Sequence, residues 1–413
     1  MFSSLLNRPK HNYKVIDGIR AVAILWVIIT HIWLFHSSIY PKTTQGIFDY
    51  SIFNWITRGD LSVDLLFVLS GFVIGTVLFK EFKDSNKINF KKFYLRRFFR
   101  LFSVYIFSIL MGIYFLKGTR IDNFHIVWSN VLLINNYVTE SFLPWTWSLA
   151  IEGQFYIIAP LVIAFILPLF KRKYLFFIIL GIIPIGLTYH YSVNVFNFSI
   201  PFKHVFPDEN WLHWFWNYYM LSHLRYGGLL AGIIAAYLNV YYKDNVLAAF
   251  KNKRANDFFI ILSIVLFTLI SSITLGQWTN VGNSIFHKLP AKIGVWYEVL
   301  HREVFIYVIA YLIMACIYSD SIFIRPLQRF LSLKFFYPIA QITYSAFLFH
   351  EIFMFWFFPK AAAFFLGSTL SDFQIIVLNG VLSIIVILTA ATAMYLIIEQ
   401  PFHRLRDTLT ERK

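Results

Sequence analysis

The chain has few charged residues and a single cysteine. Charged residues make up 14% of its 413 positions, whereas a soluble domain averages about 25%. Together with a hydrophobic content of 58%, this deficit excludes an ordinary soluble protein and predicts an integral membrane protein. Cys316 is the one cysteine and lies in an apolar segment, so an intramolecular disulfide is impossible and a reactive thiol is not expected.

Several familiar catalytic motifs are missing too. The sequence has no GxSxG, P-loop, HExxH or HxxxH pattern, which argues against a serine hydrolase, an NTPase and a zinc protease. His350 and Glu351 are neighbours in the chain, so we expect them to point to different faces of a helix and predict no metal site. The N-terminal segment has no apolar core and no small-residue cleavage site, and it predicts no signal peptide.

What the sequence does have is a series of apolar runs near the ~20 residues that a membrane helix needs. They lie at about 16–36, 61–79, 94–116, 149–170, 174–189, 222–242, 257–275, 298–319, 335–358 and 374–398. The pattern predicts an all-α polytopic bundle of about ten transmembrane helices in a single domain. That domain is expected to span residues 1–413, with an N-terminal segment 1–15, helices within 16–398 and a tail at 399–413.

The basic residues are distributed unevenly between alternate loops. Of the 36 Lys and Arg residues, 25 lie in the loops and termini that the pattern puts on one side of the membrane. The positive-inside rule puts that side, with both termini, in the cytoplasm. The net charge of +15 is then a topology signal, aided by anionic lipid, and indicates no nucleic-acid partner. Only Arg20, Arg225 and Arg302 lie inside predicted spans, where ionisable groups are costly and usually functional.

Arg20 and His31 lie in the first apolar run with ten residues between them. Eleven residues of α-helix advance roughly 16 Å and turn through about 1100°, which is three turns plus roughly 20°. One face of the helix therefore carries a fixed cation near one end and an imidazole deep inside. An imidazole with a carboxylate neighbour is the usual general base, since its pKa lies close to working pH.

Two further arginines begin the third apolar run. Arg97 and Arg100 are three residues apart and share a helix face. Because guanidinium groups donate paired hydrogen bonds to phosphate, these two and Arg20 are predicted to hold the phosphates of a nucleotide-like cofactor. The alternatives are lipid-headgroup anchoring for Arg97 and Arg100, and a pair with Asp17 for Arg20.

A second layer of polar residues is predicted in the outer half of the membrane. Its members come from five predicted helices but share one depth, which predicts one common polar cavity: His31, Asp64, Glu152, Arg225, His350 and Glu351. Each could instead form a structural hydrogen bond between helices. The outer segments are also rich in aromatic residues, which indicate either an interfacial belt or a platform for a sugar: Trp145, Trp147, Trp211, Trp214 and Trp216.

These motifs together resemble the acyltransferase-3 family of membrane O-acyltransferases over most of the chain. The resemblance rests on six elements in family order: Arg20 with His31, the run Val63 to Phe72, Arg97 with Arg100, Trp147-Ser148-Leu149 with Glu152, Tyr344-Ser345 with Leu348 and His350, and Glu399 with Pro401. It implies transfer of an acyl group, usually acetyl from acetyl-CoA, to a hydroxyl of a surface glycan such as O-antigen or capsule. One departure is Gly153, which stands where a second glutamate is common.

We therefore expect a multi-pass enzyme of the bacterial inner membrane in which His31 is the general base. Arg20, Glu152 and Asp64 are the other expected catalytic residues, with Glu152 or Asp64 orienting the imidazole or the sugar. The acyl-CoA donor is expected on Arg20, Arg97, Arg100 and Ser70. The glycan acceptor is expected on Trp147, Ser148, Arg225, Tyr344 and His350.

Several alternatives remain open from the sequence. His31 could carry the acyl group covalently before passing it outward. With no appended esterase-like domain expected, both steps would occur within the bundle. The chain could instead be a transporter or flippase of a lipid-linked glycan, although paired interrupted helices and internal repeats are not evident. A third possibility is an acyltransferase of the same family that acts on a non-glycan small molecule.

Overall fold

The computed structural model describes residues 3–8, 13–39, 51–116, 124–195, 209–273, 290–365 and 368–411. These residues are mostly helical, and no strand occurs among them. The ten long helices are α1 (Lys14–Ile39), α2 (Gly59–Ser85), α3 (Phe90–Phe115), α4 (Trp147–Leu161), α5 (Lys173–His190), α6 (Gly227–Tyr241), α7 (Lys253–Ser272), α8 (Ala291–Tyr318), α9 (Thr343–Phe365) and α10 (Asp372–Met394). Shorter helices include Ser222–Arg225, Arg325–Leu331, Phe336–Gln341 and Gln400–Glu411.

Among the described residues, nine helices are long and apolar enough to cross a membrane. This confirms the prediction of an all-α, polytopic membrane protein. The tenth expected span, 222–242, is divided, because Ser222–Arg225 is separated by Tyr226 from the 15-residue helix α6. At ~1.5 Å per residue, α6 is about 22 Å long and shorter than the ~30 Å hydrocarbon core.

Glycines allow α2 and α6 to cross at very short range. A Cβ atom at Gly71 would lie 2.2 Å from the carbonyl oxygen of Leu229, and one at Gly232 would lie 2.1 Å from that of Val68. Small residues permit such close backbone approach between membrane helices. The crossing brings the start of α6, and Arg225 just before it, against the middle of α2.

Helix α1 lies in the interior of the bundle. It packs on α2, α9 and α10 and on the two short helices Arg325–Leu331 and Phe336–Gln341. Gly18 meets the first of these so closely that a Cβ atom there would lie 2.0 Å from the Leu331 carbonyl oxygen. Because α1 is surrounded, its polar residues face protein instead of lipid, while α5, α7 and α10 expose apolar faces.

Three tryptophans of the outer segments lie inside the protein. Trp145, Trp147 and Trp214 are buried in the protein, and the indole of Trp145 donates a 3.2 Å hydrogen bond to the Leu348 carbonyl oxygen. These three residues therefore do not form an aromatic belt facing lipid headgroups, and a sugar-binding role for them stays a prediction. The side chain of Trp211 lies outside the described ones.

Candidate active site

A cavity of about 140 Å³ collects most of the motif residues. Helices α1, α2, α3, α4 and α9 surround it, and its polar lining is Arg20, Ser70, Arg97, Arg100, Ser148, Glu152, Tyr156, Gln341, Thr343, Tyr344 and Glu399. All four residues predicted to bind the donor are in this lining. Ser148 and Tyr344, predicted for the acceptor, lie here as well.

The three arginines of the cavity are available to a ligand. Arg97 lies with its guanidinium carbon 5.6 Å from the centre of the Tyr156 ring. Neither Arg20 nor Arg100 forms an ion pair with any residue that the structure describes. Asp17 forms its ion pair with Arg8 at 3.0 Å, and no direct ion pair between Asp17 and Arg20 occurs among the described residues.

Glu152 is part of this cavity and not of an outer layer. Its carboxylate accepts hydrogen bonds from the hydroxyl groups of Ser70 and Tyr156. Two hydroxyl donors satisfy a buried carboxylate beside cations without a direct ion pair. The next residue, Gly153, faces away, since a Cβ atom there would lie 2.5 Å from Cδ1 of Leu133. A glutamate at position 153 would therefore meet packed side chains and not the cavity.

His31 contacts a different carboxylate from the one that the sequence suggested. Its Nε2 atom lies 3.0 Å from Oε1 of Glu351, and its Nδ1 atom lies 2.8 Å from the carbonyl oxygen of Val27. The expectation that Glu152 or Asp64 orients the imidazole is thus not met in this structure. The sequence predicts Glu351 to be an acidic residue within the membrane. Because it follows His350 directly in the chain, the sequence did not predict that it contacts His31 of α1.

His350 completes a cluster of three side chains. Its ring lies edge-on to that of His31 with centroids 4.8 Å apart, and its Nε2 atom is 4.0 Å from Glu351 Oε1. His350 and Glu351 therefore both approach His31, and the expectation that they point to different faces is wrong. The ligand atoms of the three residues lie within 4.8 Å of one another, a spacing that could also admit a metal ion; the absence of a metal stays a prediction.

The hydrogen bonds of this cluster fix where its protons are. A carbonyl oxygen only accepts, so Nδ1 of His31 facing Val27, and Nδ1 of His350 facing the Phe347 carbonyl at 2.6 Å, both carry hydrogen. In a neutral His31 ring, Nε2 then presents a lone pair to Glu351. Two acceptors 3.0 Å apart repel each other unless a proton lies between them. We therefore expect one proton to lie between His31 and Glu351.

Asp64 and Arg225 belong to a third, buried ionic cluster. Arg225 pairs with Asp64 at 3.0 Å, and Arg302 of α8 bridges Asp64 at 2.8 Å and Asp60 at 2.7 Å. Arg58 forms a further ion pair with Asp60 at 3.1 Å. Sequence reasoning gave no role to Arg302 and missed Arg58 and Asp60, although Asp60 and Asp64 are one helical turn apart.

Aromatic rings cover this ionic cluster. The guanidinium carbon of Arg225 lies 5.1 Å from the Trp147 ring centre and 4.7 Å from that of Tyr219. Burial raises the pKa of Tyr219 to about 12, so the phenol stays neutral beside the arginines. Trp147 and Arg225 therefore contact each other through a cation–π interaction. The predicted common cavity is divided into three groups: the arginine-lined cavity, the cluster of His31, His350 and Glu351, and this ionic cluster.

Fold and site define a class of protein: a polytopic membrane protein with a cationic cavity beside a partly buried imidazole–carboxylate pair. A family model described as an acyltransferase domain matches residues 13–398. The chain belongs to this family, the acyltransferase-3 family, which confirms the resemblance stated from its motifs.

Individual relatives match over shorter segments. A Staphylococcus aureus (strain COL) protein provisionally named as an O-acetyltransferase is 33% identical over 199 residues, or 43% of this chain and 30% of that protein. Peptidoglycan O-acetyltransferase OatA of Listeria monocytogenes is 32% identical over 38% of this chain and 24% of its own length. O-acetyltransferase OatA of Staphylococcus aureus (strain NCTC 8325) is 32% identical over 38% of this chain and 26% of its own.

The matched segments thus cover less than a third of these relatives. No solved structure matches the chain.

Proposed function

We propose that this chain is an O-acyltransferase of the bacterial inner membrane, with both termini in the cytoplasm. It transfers an acetyl group from cytosolic acetyl-CoA to a hydroxyl of a cell-envelope glycan, such as O-antigen, capsule or peptidoglycan. The observation that carries the proposal is the His31–Glu351 pair beside the arginine-lined cavity. Family membership and the names of the relatives support the reaction class.

The charge of the cavity supports an anionic donor. Three arginines line it, whereas its two carboxylates, Glu152 and Glu399, each accept hydrogen bonds from hydroxyl groups. Bidentate guanidinium groups suit the phosphates of CoA. With three guanidinium groups and two carboxylates, the cavity has an excess of positive charge. An uncharged substrate would leave that excess unbalanced, which is costly within a membrane.

Phe347 supports a route from this cavity to the imidazoles. Its side chain lines the cavity, and its ring centre is 5.7 Å from that of His350, which lies one turn further along α9. The thioester at the end of a pantetheine arm would pass Phe347 to reach His31. The phosphates of acetyl-CoA would then lie in the arginine-lined cavity, and its thioester carbon would lie at His31.

The proposed chemistry uses Nε2 of His31 as the general base. The Val27 carbonyl keeps the ring proton on Nδ1. The proton between His31 and Glu351 stays on the Glu351 carboxyl group when the acceptor hydroxyl replaces that group beside Nε2, so Nε2 is free to accept a proton. Nε2 takes the hydroxyl proton, the acceptor oxygen bonds to the thioester carbonyl carbon, and the carbon–sulfur bond breaks. The imidazolium then returns its proton to the CoA thiolate. Proton transfer of this kind contributes typically 10²–10⁴-fold.

The test is CoA release by the purified full chain in detergent. Acetyl-CoA is supplied with an envelope-glycan fraction, and free thiol is measured with and without the glycan. We expect thiol release that depends on the glycan, with ester-linked acetate recovered on it. A protein that binds the glycan but releases no thiol would contradict acyl transfer and favour the transporter alternative.

A further inference from the structure

Two polar residues interrupt the buried face of α10. Asn379 and Ser383 are four residues apart and so lie on one side of the helix, and their exposed fractions are 0% and 1%. The rest of that face is apolar or aromatic and continues with the same spacing: Ile375, Ile387, Ala391 and Tyr395. The polar pair is therefore built into a surface that packs against the bundle.

Neither residue has a hydrogen-bond partner among the described residues. The amide nitrogen and oxygen of Asn379 and the hydroxyl of Ser383 are all buried without one. Leaving buried donors and acceptors unmatched is costly, more so where lipid excludes water. An unmatched group that persists in a native fold calls for a ligand, a water molecule or a functional reason.

Their position in the bundle relates them to His31. A Cβ atom at Gly380, next to Asn379, would lie 3.7 Å from Cγ2 of Ile32, which follows His31 in α1. The helix that packs most closely on α10 is α9, which carries His350 and Glu351. The buried Nε2 atom of His350 also accepts no hydrogen bond from any described residue. Three side chains with unused hydrogen-bonding capacity thus lie on two helices, α9 and α10, that pack on each other and on the helix of the proposed base.

We propose that Asn379, Ser383 and His350 form an acceptor subsite for the neighbouring hydroxyl groups of a sugar, adjacent to the hydroxyl that His31 deprotonates. The inference rests on the proposed acyl transfer to a glycan and assigns two residues of α10 to the binding of that acceptor. An amide donates and accepts, a hydroxyl does both, and Nε2 of His350 accepts. Adjacent sugar hydroxyls need that mixture of partners. A simple alcohol has one hydroxyl and would leave most of these groups unmatched.

The test exploits the fact that these groups are unpartnered in the protein itself. In Asn379→Leu, an apolar side chain of similar size replaces the amide, so a protein without acceptor loses no hydrogen bond and its melting temperature should equal or exceed that of the wild type. Acetyl transfer from labelled acetyl-CoA is measured against increasing concentrations of an envelope-glycan fraction. Ser383→Ala gives a second, milder variant. Thr389→Val is the matched control, because Thr389 lies on the exposed side of the same helix.

For Asn379→Leu we expect the glycan KM to rise about 10-fold, the effect of losing one buried hydrogen bond to the acceptor, with the acetyl-CoA KM unchanged. Thr389→Val should leave both constants and the melting temperature unchanged. A wild-type glycan KM in Asn379→Leu would overturn the subsite, as would a joint fall of melting temperature and transfer, which would indicate a structural role. A wild-type protein that transfers nothing to the glycan would instead overturn the proposed function, and the subsite with it.

Discussion

The Nε2 atom of His31 lies 3.0 Å from a carboxylate oxygen of Glu351, with the first residue in α1 and the second in α9. The opposite ring nitrogen of His31 is held by a backbone carbonyl of its own helix. Glu351 is therefore the side chain that competes with any substrate for the reactive nitrogen. The contact ties the two helices together at the point where acyl transfer is proposed.

Glu351→Gln should retain the fold and lose most of the transfer activity. Glutamine keeps the shape of the side chain, but its amide donates to Nε2 and cannot share a proton with it. We expect transfer to fall about 100-fold, within the range for lost proton-transfer catalysis. Initial rates and melting temperature are measured on the same sample, with Asp320→Asn, an exposed site, as control. Wild-type rates in Glu351→Gln would show that the shared proton has no part in turnover.

Arg97→Ala and Arg100→Ala should weaken donor binding. Hydrogen bonds to charged groups contribute roughly 1.5–3 kcal/mol each, so the acetyl-CoA KM should rise about 10- to 100-fold in each variant. The glycan KM should change little. The matched control is Arg96→Ala, because Arg96 is directed to Thr410 and does not line the cavity. Equal effects of all three substitutions would indicate general attraction to anionic lipid or ligand instead of specific phosphate contacts.

Glu152→Gln separates the role of charge from that of hydrogen bonding in the cavity. A glutamine oxygen still accepts from Ser70 and Tyr156, so the melting temperature should stay within a few degrees of the wild type. Removing the negative charge leaves the three arginines less balanced, and we expect tighter or unchanged acetyl-CoA binding with slower turnover. A large loss of melting temperature would make Glu152 a structural residue.

Asp64→Asn should act on stability. Removing one member of a buried ion pair leaves an uncompensated charge and costs about 3–5 kcal/mol of stability. Asp64 pairs with both Arg225 and Arg302, so the substitution would leave both arginines without this partner. The melting temperature in detergent should fall clearly, while protein that remains folded should bind acetyl-CoA normally, because Asp64 does not line the donor cavity. Asp84→Asn, at the exposed end of the same helix, is the control. An unchanged melting temperature in Asp64→Asn would contradict a structural role for the ionic cluster.

Much of this arrangement could be predicted from the sequence. The contacts that could not be predicted have a common cause. Spacing within one helix placed Arg20 and His31 on one face, and the arginine pair of α3 was assigned to the same site as Arg20; the cavity includes all three. Contacts between helices could not be predicted, because helix rotation and packing decide them. The sequence therefore predicts Glu152 or Asp64, and not Glu351, as the residue that orients His31 or the sugar. It gives no role to Arg302, although Arg302 bridges two aspartates.

Helix packing also explains why the polar residues predicted in the outer half of the membrane form separate groups. Shared depth does not imply a shared cavity, since α1 separates neighbours that lie on its different sides. The tight α2–α6 crossing, which Gly71 and Gly232 permit, directs Asp64 to Arg225 and away from His31. A sequence pattern gives the depth of a residue in the membrane, whereas its partner depends on which helices are adjacent.

The most direct test of the account is acetyl transfer by His31→Ala. Full-length wild-type and variant proteins, purified in the same detergent, receive acetyl-CoA labelled in the acetyl group together with the envelope-glycan fraction, and ester-linked label on the glycan is counted. The account predicts that the folded His31→Ala protein retains its acetyl-CoA affinity, while transfer falls by about 10²–10⁴-fold. Transfer at the wild-type rate in a folded His31→Ala protein would contradict the central role assigned to this imidazole.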